Sequence, residues 1–256
     1  MLTNPEIFML FIVAILGHVM ALFWFLADRR NSRLCRKVIY DLPIPKKQIK
    51  RELRNSLHTP MHAMMLGLAL FFDAFNATTW LSFLLSYLVT AVWAEIWHYT
   101  SHRLFHLKKF HWIHREHHKS RLNSPFTAIS FSISEKLIFN IGIIGFLMIL
   151  DRFISLSFFG VAGWYVTYLS INSFSHANFE LKSNTYLKVF GKFLTSTTYH
   201  ALHHSRYIKN YGLGTRFMDR TFETEWPDYE EVYQRITVDL EPLKKLREKV
   251  APTVTE

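Results

Sequence analysis

The sequence predicts an all-α integral membrane protein, and three observations predict it. Apolar residues come in long blocks instead of alternating, charges gather between the blocks, and histidines recur at helical spacing beside the block ends. Half of the 256 residues are hydrophobic, with 23 Phe, 11 Tyr and 7 Trp. A soluble domain of this length can bury an ample core, so it is the distribution that decides.

The first block, Ile7 to Ala27, is long enough to cross a bilayer, which takes roughly 20 apolar residues. Only Met1 to Glu6 precede it, without a basic n-region, and its positive flank follows it. It therefore reads as a retained transmembrane helix and not as a cleaved signal. A basic amphipathic stretch, Asp28 to Leu57, comes next, broken by Pro43 and Pro45. Pro60 opens an apolar run, Met61 to Phe72, as proline does in a first helical turn. Asp73, Asn76, Thr78 and Thr79 interrupt it, and Trp80 to Trp97 is the following run. Leu137 to Leu150 and Phe153 to Asn172 form a second hairpin that turns at Asp151 and Arg152. Two of these runs fall short of an upright crossing, so about four to five transmembrane or re-entrant helices are expected. The chain divides into a first span with its basic linker (1–57), a central unit (58–225) and a charged tail (226–256) that reads as a surface helix and frayed end.

The formal charge of +10 does not point to nucleic acid. The basic residues flank apolar blocks, in Arg29, Arg30, Arg33, Arg36 and Lys37 and again in Lys46, Lys47, Lys50 and Arg51, as on the cytoplasmic side of a membrane. That rule places the N-terminus on the opposite side and gathers 98–136 and 173 onward into one cytoplasmic cap. The single cysteine, Cys35, excludes an internal disulfide and a thiolate metal cage.

Nine of the 14 histidines form a pattern. His98 and His102 are four apart; His114, His117 and His118 are spaced three and one; His200, His203 and His204 repeat that spacing; His176 stands alone before Ala177 and Asn178. Positions i, i+3 and i+4 share a helix face, so each box can aim its imidazoles at one point. Imidazole suits iron, zinc, copper and nickel, and nine donors are too many for one ion but fit two. His98 directly follows an apolar run, which puts the metals near the bilayer surface, within reach of a lipid. His18, His58 and His62 lack such company and read as packing residues. His106 and His111, at helical spacing from the boxes, and Glu95, Glu116 and Asn178 are candidates to orient the ligand imidazoles.

In this order and spacing, His98-x3-His102, His114-x2-His117-His118 and His200-x2-His203-His204 resemble the fatty acid hydroxylase/sterol desaturase superfamily. The flanks agree: WHYTSHRLFH at 97–106, FHWIHREHHKS at 110–120, then His203-His204-Ser205, Asn210-Tyr211-Gly212 and Asp219-Arg220-Thr221-Phe222. The likeness covers about 85 to 225. It implies a helical, membrane-bound, non-haem diiron oxygenase with two iron ions held by the eight box histidines and His176, O2 as co-substrate and a lipid as substrate. Two positions depart from the pattern. Ser132 stands three before Glu135 where sterol-acting members often have histidine, and Asn172 stands four before His176 where some hydroxylases have another.

The chain has no Gly-rich dinucleotide fingerprint and no cysteine set for an iron–sulfur cluster, so such an enzyme needs a separate electron donor, a reductase with a ferredoxin or cytochrome. The basic stretch Lys108 to Arg121 offers an acidic donor a landing surface. A zinc transporter or sensor is the competing expectation, but a transporter places its polar ligands within the spans near the midplane, whereas these boxes lie beside them.

Overall fold

The computed structural model describes residues 2–29 and 35–250, the Arg29 side chain excepted. Arg30 and Arg33 of the basic flank and 251–256 of the tail lie outside the described residues. Twelve α-helices follow one another among them: α1 (Asn4–Arg29), α2 (Lys46–Ser56), α3 (Met61–Phe71), α4 (Trp80–Phe105), α5 (His111–His114), α6 (Ile133–Asn140), α7 (Phe146–Leu150), α8 (Phe158–Ser175), α9 (Asn184–Val189), α10 (Thr197–Arg206), α11 (Phe217–Thr221) and α12 (Tyr229–Thr237). Tight 3₁₀ turns cover His117–Lys119 and Pro125–Ile129, and a π turn, Ile141–Gly145, fuses α6 to α7. Among the described residues, β pairing is limited to isolated bridges.

Three helices are long and apolar enough to cross a membrane: Asn4–Asp28, Trp80–Phe105 and the fused Ile133–Leu150. The shorter apolar helices α3 and α8 pack among them, with α8 against both α1 and α4. Val13, Leu66, Ala94, Leu147, Val161 and Leu169 are buried at the centre of this bundle. Its outer surface is just as apolar: Trp80 and Phe153 are each 80% exposed, and Phe8, Phe71 and Leu81 stand out beside them. Apolar outside as well as inside is what a lipid solvent permits and water does not. The protein is an all-α membrane protein.

Two details position the site. α4 does not stop at Trp97 but runs two turns further, to Phe105, because nothing between them breaks a helix; His98 and His102 ride on that extension. At the opposite end of the bundle Asp151 ties both hairpin turns together, its carboxylate accepting from Phe75 N at 2.9 Å and Leu156 N at 2.8 Å.

The π turn also has a visible cause. Trp93 Nε1 donates to Gly142 O at 2.8 Å, and the Trp97 ring occupies the space a Cβ on Gly142 would need. A π turn widens the helix locally, and such turns cluster near functional sites.

A second core, outside the bundle, holds the histidine-bearing cap. Tyr199, Leu202, Tyr229, Val232, Tyr233 and Ile236 join α10 to α12, so the helix expected on the surface beyond Trp226 buries one face. α2 is fastened by Glu52, whose buried carboxylate accepts from Gln48, Ser120, Ser124 and Thr127 at 2.5 to 2.9 Å. Cys35 is buried beside Ala177 and Phe179.

Gly160 marks the closest approach of α4 and α8: an added Cβ would meet Phe83 O and stand 2.7 Å from Ser86 Cβ. Small residues allow such backbone contact between helices in lipid. Gly160→Val is therefore expected to cost about 1–3 kcal/mol by overpacking. A lowered thermal midpoint in detergent would register it, and an unchanged midpoint would contradict the close approach.

Candidate metal centre

Four parts of the chain bring histidines to one place. α4 supplies His98 and His102 from its last two turns, with His106 as its C-cap. The second box is not one regular helix, as its spacing suggested: α5 ends at His114, and His117 and His118 open a 3₁₀ turn. His176 caps α8, and α10 carries His200, His203 and His204.

Their donor atoms fall into two groups, each within 4.8 Å: His102, His106, His114, His118 and His203 in one, and His117, His176, His200 and His204 in the other. Nine histidines are gathered, as the spacing predicts, but the membership differs by one. His106, expected as an orienting residue, stands in the first group, and His98 stands in neither; it lines the neighbouring cavity, its ring 5.0 Å from that of His102.

Most of these rings are held from behind. His102 Nδ1 lies 3.0 Å from Tyr211 O, His117 Nδ1 3.3 Å from Ser130 O, His176 Nδ1 2.8 Å from Asn172 O, His203 Nδ1 2.7 Å from Lys209 O and His204 Nδ1 2.9 Å from Ser120 O. A carbonyl only accepts, so each of these Nδ1 atoms carries the proton and each Nε2 presents a lone pair. Those lone pairs face inward at one another. His117 and His176 have their Nε2 atoms 3.4 Å apart, and neither carries a proton to share. The other Nε2 pairs are His200–His176 at 2.8 Å, His204–His200 at 3.2 Å and His203–His118 at 3.0 Å. With a metal–nitrogen bond of about 2.1 Å, adjacent ligand nitrogens sit about 3.0 Å apart at right angles and about 3.4 Å apart in a tetrahedron. The separations of 2.8 to 3.4 Å are compatible with nitrogens that share one ion. His102 Nε2, His114 Nε2 and both nitrogens of His106 are buried without any partner, so the first group fits a cation; in the second, the facing Nε2 lone pairs of His117 and His176 fit another.

Burial and mutual repulsion keep the groups neutral. The imidazoles of His114, His117, His118, His200, His203 and His204 are pushed well below their ordinary value, and burial brings His176 down to about 4. Neutral imidazole is the ligating form.

The residues expected to orient the rings divide sharply. Glu95 instead holds a loop, accepting from Gly214 N at 3.1 Å and Thr215 N at 2.9 Å. Glu116 accepts from Asn55 Nδ2 at 2.9 Å and pairs with Lys119, while Asn178 bonds both backbone atoms of Tyr40. None of the three makes a hydrogen bond to an imidazole among the described residues. His111 is closer in role: its ring bonds the Tyr207 hydroxyl, and the Tyr207 ring lies 4.8 Å from His118. Tyr207 takes a left-handed φ of 80° to end α10 there.

Sequence reasoning missed Glu135, whose carboxylate makes a short hydrogen bond to His114 Nδ1. A lone acid at the start of an apolar helix was the available signal. The Asn-Tyr-Gly motif also finds its physical role. Asp219 accepts from Tyr211 N, Gly212 N, Tyr199 Oη and Thr224 Oγ1, fixing the loop whose Tyr211 carbonyl holds His102. The two departures from the family pattern have roles of their own: Ser132 caps α6, and Asn172 Nδ2 donates to Ala128 O at 2.9 Å.

A narrow cavity of about 40 Å³ adjoins the second group and His102, walled by Phe105, Phe131, Phe139 and Tyr168.

Comparison with known proteins places this centre in a class. The profile of the fatty acid hydroxylase family matches residues 87–224, more than half of the chain, and the chain belongs to that family. Among curated relatives, it is 30% identical over 151 residues to the very-long-chain aldehyde decarbonylase GL1-7 of Oryza sativa subsp. japonica, covering 55% of this chain and 23% of that protein. It is 29% identical over 148 residues to methylsterol monooxygenase 1 of Rattus norvegicus, covering 57% of this chain and 48% of that protein. The match thus spans less than half the length of either relative. No solved structure matches.

The depressed imidazoles make stability pH-dependent. The unfolded chain, with histidines near 6.5, binds more protons than the folded one as pH falls through that value. Glu52 and Glu180, whose carboxyls burial pushes up, pull the other way but are fewer. The thermal midpoint of chelator-treated protein should therefore hold above about pH 7 and fall steadily as pH drops through about 6 toward 5. A flat profile would contradict the neutral, buried cluster.

Proposed function

We propose that the chain is a membrane-bound non-haem diiron oxygenase that hydroxylates or desaturates a lipid C–H bond, using O2 and two electrons supplied from outside. The observation carrying this reading is the pair of histidine groups whose Nε2 atoms converge at separations that fit ligands of one ion, with the His117 and His176 lone pairs directly facing. His102, His106, His114, His118 and His203 would hold one iron and His117, His176, His200 and His204 the other. Bound there, the irons would supply activation of O2 and the oxidising power to break an unactivated C–H bond.

The protein's own residues do the rest. Backbone carbonyls of Ser120, Ser130, Asn172, Lys209 and Tyr211 hold the tautomer and direction of each ring, and Glu135 does so for His114. Phe105, Phe131, Phe139 and Tyr168 keep the adjoining cavity apolar, excluding bulk water from a reactive centre and offering a hydrocarbon chain an environment like its own. On another face, Lys119, Arg121 and Arg247 ring a shallow basin that reaches His118, His111 and Tyr207. Its charge suits an acidic electron-carrying protein that would dock near the metals. With the basic flanks inside, this basin and the boxes lie on the cytoplasmic side and the N-terminus opposite. Residues 58–225 form the catalytic unit in this reading, with 1–57 as anchor and linker and 226–256 as tail.

Metal analysis tests the proposal directly. Purified protein should hold about two irons per chain, and each of His203→Ala and His204→Ala, which remove one donor from different groups, should lower that toward about one and abolish turnover. Cells expressing the intact chain should gain a hydroxylated or desaturated lipid that the variants do not make. One zinc per chain, without O2 uptake on reduction, would sink the oxygenase reading in favour of a zinc-binding transporter or sensor.

A further inference from the structure

The cavity beside the histidines holds about 40 Å³, against the roughly 300 Å³ or more of ordinary ligand pockets. No lipid chain fits it as it stands. One of its walls, however, is shared. Phe131 also lines an outer groove of about 450 Å³, together with Arg54, His58, Trp112, Arg115 and Ile133. Phe131 is therefore the residue common to the linings of a large external groove and of the space beside the histidines.

That ring is built to move without its backbone. Phe131 lies in the short link between the 3₁₀ turn and α6. On one side Ser130 O is held by His117 Nδ1; on the other Ser132 Oγ donates to Ile113 O at 2.7 Å and accepts from Glu135 N. The side chain makes no hydrogen bond: it is stacked on the His117 ring at 4.3 Å with 10° between planes, and Lys136 Nζ lies 6.0 Å from its centroid. Rotation about its side-chain bonds costs the stacking and the Lys136 contact and leaves every hydrogen bond around it in place.

The groove has two chemistries. Trp112, 60% exposed, and Ile133, 48% exposed, make one part apolar. Arg54 and Arg115, both exposed, make the rim cationic, and neither has an ion pair among the described residues. The acid on the rim, Glu116, is already engaged by Arg51 at 3.5 Å and by Lys119. Guanidinium groups bind carboxylate and phosphate oxygens in pairs.

We infer that this groove is the substrate portal: a single-chain lipid with an anionic head docks its head on Arg54 and Arg115, and its chain passes to the metal ligands when the Phe131 side chain swings aside. The inference rests on the oxygenase reading for its purpose, but its test does not. A palmitate bearing a photoreactive diazirine at the chain end is irradiated with the intact, unreduced protein, and labelled residues are mapped by mass spectrometry. Labels are expected at Trp112, Ile133 and Phe131 and, inside, at Phe139. Phe131→Ala should raise the Phe139 label several-fold and Phe131→Trp should suppress it while leaving the groove labelled. Arg54→Gln with Arg115→Gln should weaken competition by unlabelled palmitate about ten-fold, a change typical of losing a charge-assisted pair. Unlabelled palmitate and palmitoyl-lysophosphatidate compete in separate arms, and the stronger competitor identifies the head as carboxylate or phosphate. Labels confined to the outer faces of α1, α4 and α8, or equal competition by hexadecanol, would overturn the portal. Metal content measured on the same preparation separates that result from failure of the diiron reading.

Discussion

The rest of the structure depends on one constraint: neutral imidazoles packed with their lone pairs facing each other. Hydrogen bonds cannot satisfy such an arrangement, because His117 and His176 have both spent their single proton on a carbonyl behind them. A buried polar group left without a partner costs about 1–3 kcal/mol, and several stand together here. A cation between the rings relieves this, and imidazole lone pairs suit transition metals.

Holding them requires rigid supports from separate parts of the chain. The carbonyls behind the rings belong to the 3₁₀ turn, the end of α8, the segment after the second box and the loop after α10. None of these is a regular helix interior, and for good reason: carbonyls inside a helix are occupied by its own hydrogen bonds. Side-chain ties then fix these irregular segments. Asp219 anchors the loop that carries the Tyr211 carbonyl, and Glu52 anchors the stretch from Ser120 to Thr127 that leads from the second box to the Ser130 carbonyl. Buried acids that look extraneous to the metals thus set the direction of the metal-facing nitrogens.

Much of this was legible in the sequence. The apolar blocks located α1, α3, α4, the α6–α7 helix and α8, because lipid demands long apolar stretches whatever the tertiary arrangement. The boxes located the metal-facing histidines, because ligands on one helix must recur at three and four residues. Reading failed where spacing is not geometry. His98 and His102 share a face of α4 with His106, and which two of the three join a cluster depends on where the other elements meet that helix. Glu95 and Glu116 sat at suggestive offsets from the boxes, yet their carboxylates point to the Gly214–Thr215 loop and to α2. Glu135 stood in the sequence only as the glutamate that follows Ser132 in the family pattern, and it is the packing of α6 against α5 that brings it to His114.

By itself, then, the sequence determined the helical, membrane-embedded class and pointed to a gathering of histidines from separate boxes, since hydropathy and helical periodicity are local properties of a chain. Tertiary structure alone decided the gathering of donors into groups of five and four, the entry of His106 into one of them, the tautomer of each held ring, and the place of Phe131 in the linings of both groove and cavity. Each of these depends on distances between segments far apart in the chain, and those distances exist only once the helices pack.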